Sequence, residues 1–219
     1  MKPRRWPIAI FSSLCVLLPP GRASAQEPAD ITYGWYELGV SFLDDATLVD
    51  FYGEATLDNK VLFDPGFRFG IGFGGEVTRH LCLEFQSGFH YNAIKSIAGA
   101  SASSGNFYQV PLMGNVVLQL PNRTGFVPFV GAGAGAYWTV LDAQNLSIGG
   151  TTASGTDDAW VFGYQAFAGF RYALRTNLGL GASYHYGVAT SPSWNSGAGN
   201  LKFSDARNHS FALSLHYRF

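Results

Sequence analysis

The clearest signal in this sequence is an alternation of apolar and polar residues with a period of two, which marks strands whose two faces meet different surroundings. In the first such segment, Trp35 to Leu43, Tyr36, Leu38, Val40 and Phe42 are set against Glu37, Gly39 and Ser41. Phe67 to Val77 alternates Phe67, Phe69, Ile71 and Phe73 with Arg68, Gly70, Gly72 and Gly74. Leu81 to Tyr91 sets Leu83, Phe85 and Phe89 against Cys82, Glu84, Gln86 and His90. Phe107 to Gln119 places Tyr108, Val110, Leu112, Val116 and Leu118 opposite Gln109, Pro111, Met113 and Asn115. Pro111 has no N–H to donate, which predicts a local bulge. Phe126 to Trp138 opposes Val130, Ala132, Ala134, Ala136 and Trp138 to Gly131, Gly133 and Gly135. Trp160 to Tyr172 is the cleanest, with seven apolar or aromatic residues against Gly163, Gln165, Gly169 and Arg171. Leu178 to Tyr186 and His209 to Phe219 complete the set.

These eight segments have about the 9–11 residues that a tilted transmembrane strand needs. No segment after the N-terminal region has the ~20 apolar residues of a membrane-spanning helix. The connections alternate in length: Thr78 to His80, Leu120 to Gly125 and Ala173 to Asn177 are short, whereas Asp44 to Gly66, Asn92 to Asn106, Thr139 to Ala159 and Gly187 to Asn208 are long. The pattern predicts an eight-stranded antiparallel up-and-down transmembrane β-barrel, all-β, with both termini in the periplasm and the long loops outside. A soluble barrel would alternate too, but with apolar residues inside. Here the sparser face carries Glu37, Arg68, Glu84, Gln86, Gln109, Gln165, Arg171, His185 and Arg218, so the apolar face is expected to meet lipid. Tyr36, Tyr91, Tyr108, Trp138, Trp160, Tyr172, Tyr186 and Tyr217 at strand ends suit interfacial girdles.

Lys2, Arg4 and Arg5, the apolar stretch from Ile8 to Leu18 and Ala23-Ser24-Ala25 compose a secretory signal, residues 1–25, with Ala23 and Ala25 marking the cleavage site. Residues 26–219 are then the barrel domain. The mature chain keeps only Cys82, so an internal disulfide and a cysteine-based zinc site are excluded. The 27 glycines, 16% aromatics and 13% charged residues depart from soluble domains, in which about 25% of residues are charged. With a formal charge of −1, made more acidic when the leader takes four basic residues away, no nucleic-acid partner is expected.

The last strand, His209 to Phe219, resembles the C-terminal strand of bacterial outer-membrane β-barrels, with Phe211, Leu213, Leu215, Tyr217 and Phe219 at alternate positions. In that family such a strand is recognised by the outer-membrane assembly machinery. Segments such as Phe107 to Leu112, Val127 to Gly135 and Gly163 to Tyr172 resemble the small porin-family barrels of the OmpA-like and OmpX-like kind. The resemblance implies a non-enzymatic protein of the bacterial outer membrane, in contact with its lipids and lipopolysaccharide. Its structural or surface-contact role would be exercised through the outer loops.

Candidate chemistry is sparse. Gly70 to Gly75 fits G-x-G-x-x-G, but a strand follows it where a dinucleotide site needs a helix, so the glycines read as space inside a narrow barrel. Glu37, Glu76, Glu84, Arg171, His216 and Arg218 all fall inward towards the periplasmic half. Buried charges pair, which predicts an interior ionic cluster of Glu37 and Glu84 with Arg171 and Arg218. Two alternatives to a structural role remain. One is a narrow channel for ions or small apolar solutes, should Phe107, Met113 and Phe167 leave the lumen open. The other is a lipid A-modifying enzyme built on His185, Ser210 and Asp205; the family's His-x-Ser pattern is missing, since Tyr186 and Gly187 follow His185. Asp44, Asp45, Asp50, Glu54, Asp58 and Asp64 make an acidic first loop without the spacing of a calcium loop. Ser101 to Gly105 and Ser191 to Asn200 read as mobile polar segments. No cofactor or metal is expected.

Overall fold

The computed structural model describes residues 32–53, 59–196 and 199–219. The signal segment with Ala23 and Ala25 lies outside them, as do Glu54 and Asp58 of the acidic loop. Among the described residues the chain forms twelve strands and no helix. They are β1 (Thr32–Leu43), β2 (Ala46–Phe51), β3 (Lys60–Phe63), β4 (Gly66–Thr78), β5 (Leu81–Ile97), β6 (Ala102–Gln119), β7 (Phe126–Ile148), β8 (Thr151–Ala173), β9 (Leu178–Ala189), β10 (Ser193–Ser196), β11 (Gly199–Phe203) and β12 (Ala206–Arg218).

Eight of these close into a ring, β1–β4–β5–β6–β7–β8–β9–β12 and back to β1, every pair antiparallel. Its wall is the one the alternation demands. Tyr36, Leu38, Val40, Phe69, Ile71, Phe73, Leu83, Phe85, Val116, Leu118, Phe162 and Leu213 project outward and are exposed. An apolar belt this extensive suits a bilayer rather than water. Trp138 stacks on Trp160 with ring centroids 6.3 Å apart and Tyr91 lies 5.4 Å from Tyr108, forming part of one girdle; Tyr217 and Phe219 at 5.3 Å belong to the other.

The remaining four strands continue the same ring upward. β3, β2, β11 and β10 follow one another in the order of β4, β1, β12 and β9 beneath them, with β3 paired to β5 and β10 packed against β8. Meanwhile β5 to β8 run unbroken through both levels, β7 and β8 over 23 residues each. The four interrupted strands break at residues 44–45, 64–65, 190–192 and 204–205, where Asp, Pro and Ser, poor strand formers, accumulate. Ser191 there adopts a positive φ of 37° and is fixed by Asp205, whose Oδ1 accepts from both its N–H and its hydroxyl at 3.0 Å. Backbone bonds cross the breaks, including Asp44 N–H to Arg207 O and Ser204 N–H to Thr47 O, each 2.8 Å.

The expected long loops are therefore mostly strand, and Ser103 and Ser104, expected in a mobile segment, lie within β6. The reason is a reversal of polarity. In this upper part Leu48, Phe51, Val61, Ile94, Leu141, Leu146, Ile148, Trp194, Leu201 and Phe203 point inward into one apolar core, while Asp142 and Asp158 bond to Thr156 and Trp138 on exposed surface. Burying a large apolar side chain contributes about 1.5–3 kcal/mol, so this cap is held by its own core. Pro111 also corrects expectation. It makes no bulge: Ser87 opposes Leu112 and His90 opposes Gln109 in one unbroken register, and the missing donor costs the ladder only its local bonds.

Candidate functional site

Beneath the apolar cap the lumen is crossed by side chains in stacked layers. At the level where the strands break, Asn208 donates to the Ser41 hydroxyl at 2.6 Å and Ser41 donates to Asn92 at 3.0 Å. Below this Arg68, on β4, makes an ion pair with Glu37 on β1 and donates to Ser210 on β12 at 2.8 Å. Glu37 also accepts from Gln86 on β5 at 2.8 Å and has His185 on β9 at 3.4 Å. Gln165, reaching from β8, donates to Gln86 at 2.7 Å and to Asn115 at 2.8 Å. Further down, Arg171 of β8 donates to Glu84 of β5 at 2.7 Å, spanning the barrel, and Tyr33 donates to the same carboxylate at 2.5 Å. The Arg171 guanidinium sits over the rings of Phe129 and Tyr33 at 4.6 and 5.1 Å.

Glycines make room for this bracing. A Cβ at Gly70 would strike the Glu37 carboxylate, one at Gly74 would come within 2.8 Å of the Glu84 side chain, one at Gly131 would run into the Phe167 ring and one at Gly133 into Asn115. Large side chains opposite none is how a narrow barrel fits its interior. Phe107 and Met113 are buried in the apolar core of the cap, and Phe167 is buried lower down with Trp35, Val117 and Phe129. Between the Glu37 and Glu84 layers a cavity of only about 20 Å³ remains, lined by Trp35, Glu37, Arg171, His185 and His216 among others. That is space for about one water. Arg171 Nε, His185 Nδ1 and His216 Nδ1 have no protein partner there.

The four residues expected to cluster do not form one group. Glu84 and Arg171 pair directly. Glu37 pairs instead with Arg68, a residue the sequence places on the polar face but not in the cluster. Arg218 stands at the turn end of the barrel, half exposed, 3.4 Å from Glu76, and reaches neither Glu37 nor Glu84. The β1–β4 register explains the exchange: Glu37 lies opposite Gly70 and Arg68 opposite Gly39, so Arg68 is the diagonal inward neighbour of Glu37.

The arrangement sketched for a hydrolytic triad is not assembled. His185 and Ser210 are register partners, but Ser210 is engaged by Arg68, His185 contacts Ser183 at 2.9 Å through the nitrogen that faces Glu37, and Asp205 is committed to Ser191. His209 points outward to the Tyr184 hydroxyl at 2.6 Å. Among the described residues no three His, Cys, Asp or Glu side chains gather in a metal-binding group. Asp50 of the acidic segment bonds Gly53 N–H and Asn200. Cys82 is a free, buried thiol beside Tyr33 and Val117. Phe211, Leu213, Leu215 and Tyr217 on β12, with Phe219 just after it, form an exposed outward line.

Comparison with known proteins bears on this geometry. Residues 11–219 match the model of the outer membrane protein beta-barrel domain. Among solved structures, OprG from Pseudomonas aeruginosa superposes with a TM-score of 0.62 at 15% identity, covering 87% of this chain and 96% of that one. Neisserial surface protein A does so with a TM-score of 0.56 at 14% identity, covering 86% and 97%. At such identities the likeness is one of fold. None of the curated proteins compared with the chain is significantly similar to it.

Proposed function

Because this chain belongs to the outer-membrane protein β-barrel family, we propose that it is a non-conducting structural protein of the bacterial outer membrane that holds a rigid β-extension above the lipid for surface contacts. The short turns between β4 and β5, β6 and β7, and β8 and β9 face the periplasm, together with the start of β1 and the end of β12. The observation that carries this reading is the filled interior. Cross-lumen bonds from Glu84 to Arg171 and from Gln86 to Gln165 tie opposite walls, and the apolar core of the cap seals the far end. Lipid and lipopolysaccharide meet the belt and its girdles, and the outward line on β12 is what the assembly machinery reads.

Two measurements test it. In planar bilayers the purified barrel is expected to give no conductance steps, alone or as Glu84→Gln; steady steps from the wild type would replace this reading with that of a narrow channel. Cells displaying the protein are expected to attach to matrix proteins or polystyrene better than cells displaying a variant with residues 46–63 and 193–203 replaced by tight turns. Equal attachment, with both barrels folded by gel mobility, removes the surface-contact role.

A further inference from the structure

The turn end of the barrel opens into a cavity of about 230 Å³ that the structural role leaves unused. Arg171 and His216 lie on its inner side, and Arg175 and Arg218 come from the turn after β8 and the end of β12; among the described residues no carboxylate lines it. The nearby acids among the described residues are already engaged. Glu84 is held by Arg171 and Tyr33, and Glu76 accepts from Gln119 at 3.2 Å and faces Arg218 at 3.4 Å. Arg175 has no ion-pair partner among the described residues. Arg171 Nε and His216 Nδ1 are buried without a hydrogen-bond partner, and His216 commits its other nitrogen to Ser214 at 2.8 Å.

A concave site lined by three guanidinium groups, of which Arg175 has no compensating acid among the described residues, is complementary to negative charge. We propose that this vestibule binds a small anion bearing carboxylate or phosphate groups, gripped by Arg175 and Arg218 at the mouth with Arg171 and His216 beneath. The volume is below the ~300–1,000 Å³ typical of drug-sized ligands, which restricts the ligand to a compact polycarboxylate or phosphate compound. Arg218 exchanges Glu76 for the ligand, so Glu76 acts as the competing acid that sets the affinity. The orientation proposed above makes this a periplasmic site, and the assignment of the anion's compartment rests on that reading.

The test uses the full mature barrel in detergent micelles, where both ends are accessible, so the result does not depend on orientation. Titration calorimetry with inorganic phosphate and with citrate as separate probes distinguishes the two anion classes, with glycerol as the neutral control. One saturable site is expected for at least one anion, weakened roughly tenfold by Arg175→Gln, the worth of one charge-assisted hydrogen bond. Glu76→Gln, which frees Arg218, is expected to tighten binding by a similar factor. No saturable binding of either anion to the wild type overturns the proposal. So does binding that neither variant changes, since that would reflect general attraction to the surface. The orientation is read separately, from labelling of Asn177→Cys by a membrane-impermeant thiol reagent on intact cells. Labelling there would overturn the periplasmic assignment and leave the binding result standing.

Discussion

Replacing Glu37 by Gln keeps the shape of the side chain and removes its charge. Arg68 would then sit in the lumen with Ser210 as its remaining strong partner, its side chain only 3% exposed and Glu37's 2%. Removing one member of a buried pair costs about 3–5 kcal/mol, because the survivor keeps the full penalty of its lost hydration. The Gln86 amide, which donates to Glu37 at 2.8 Å, can still donate to a Gln carbonyl, so the penalty falls on the charge. With an m-value of about 1–3 kcal/mol per molar urea, the unfolding midpoint in lipid vesicles is expected to drop by at least about 1 M, followed by tryptophan emission from Trp35 and the girdle residues. Arg68→Met on the wild type is expected to cost about as much, since it strands Glu37 in turn. The double variant Glu37→Gln, Arg68→Met is expected to recover most of the loss, because taking both charges away leaves nothing to desolvate unpaired. A single variant with an unchanged midpoint, or a double variant whose cost equals the sum of the two, would refute the reasoning that this layer is a coupled, desolvated pair.

The belt was open to view in the sequence because lipid imposes one rule along every wall strand: apolar at each second residue from Tyr36 to Phe42, from Phe67 to Phe73 and from Phe211 to Phe219. What alternation cannot supply is register, the offset of one strand against the next. Without it, the inward charges could be assigned to a half of the barrel but not to partners. Arg171 met Glu84 because both lie on inward positions at one height. Arg68 was on the correct face, and only the opposition of Glu37 to Gly70 was needed to find it. The cap escaped for a different reason. Leu141, Ala143, Leu146 and Ile148 keep the period of two except at the bulge between Ala143 and Leu146. They point inward where the belt residues below point outward, and the polar residues between them compose what resembles a loop. The chain changes solvent part-way up its wall, from lipid to water, and the meaning of an apolar face changes with it.

Three further substitutions separate these levels. Leu213, 72% exposed on β12, faces lipid, so Leu213→Arg is expected to destabilise the barrel by about 2–4 kcal/mol if it lies near the midplane, read as a lowered unfolding midpoint in vesicles; a neutral result would place β12 outside the bilayer. Gly131→Ile drives a branched side chain into the Phe167 ring, and overpacking of this kind costs typically 1–3 kcal/mol, with the recovery of Gly131→Ile by Phe167→Ala as the check that the clash is the cause. Phe203 is fully buried in the cap core, with Trp194 at 5.1 Å and Phe107 at 6.2 Å. Phe203→Ala is expected to cost about 3–5 kcal/mol, but the loss should be local, because among the described strands β11 pairs with β10 and β2 while the ring below closes through other strands. Limited proteolysis should therefore cut residues 193–204 much faster in the variant while the heat-resistant barrel band persists. If barrel and cap were lost together, the two levels would be one cooperative unit, and the cap would not be held by its own apolar core.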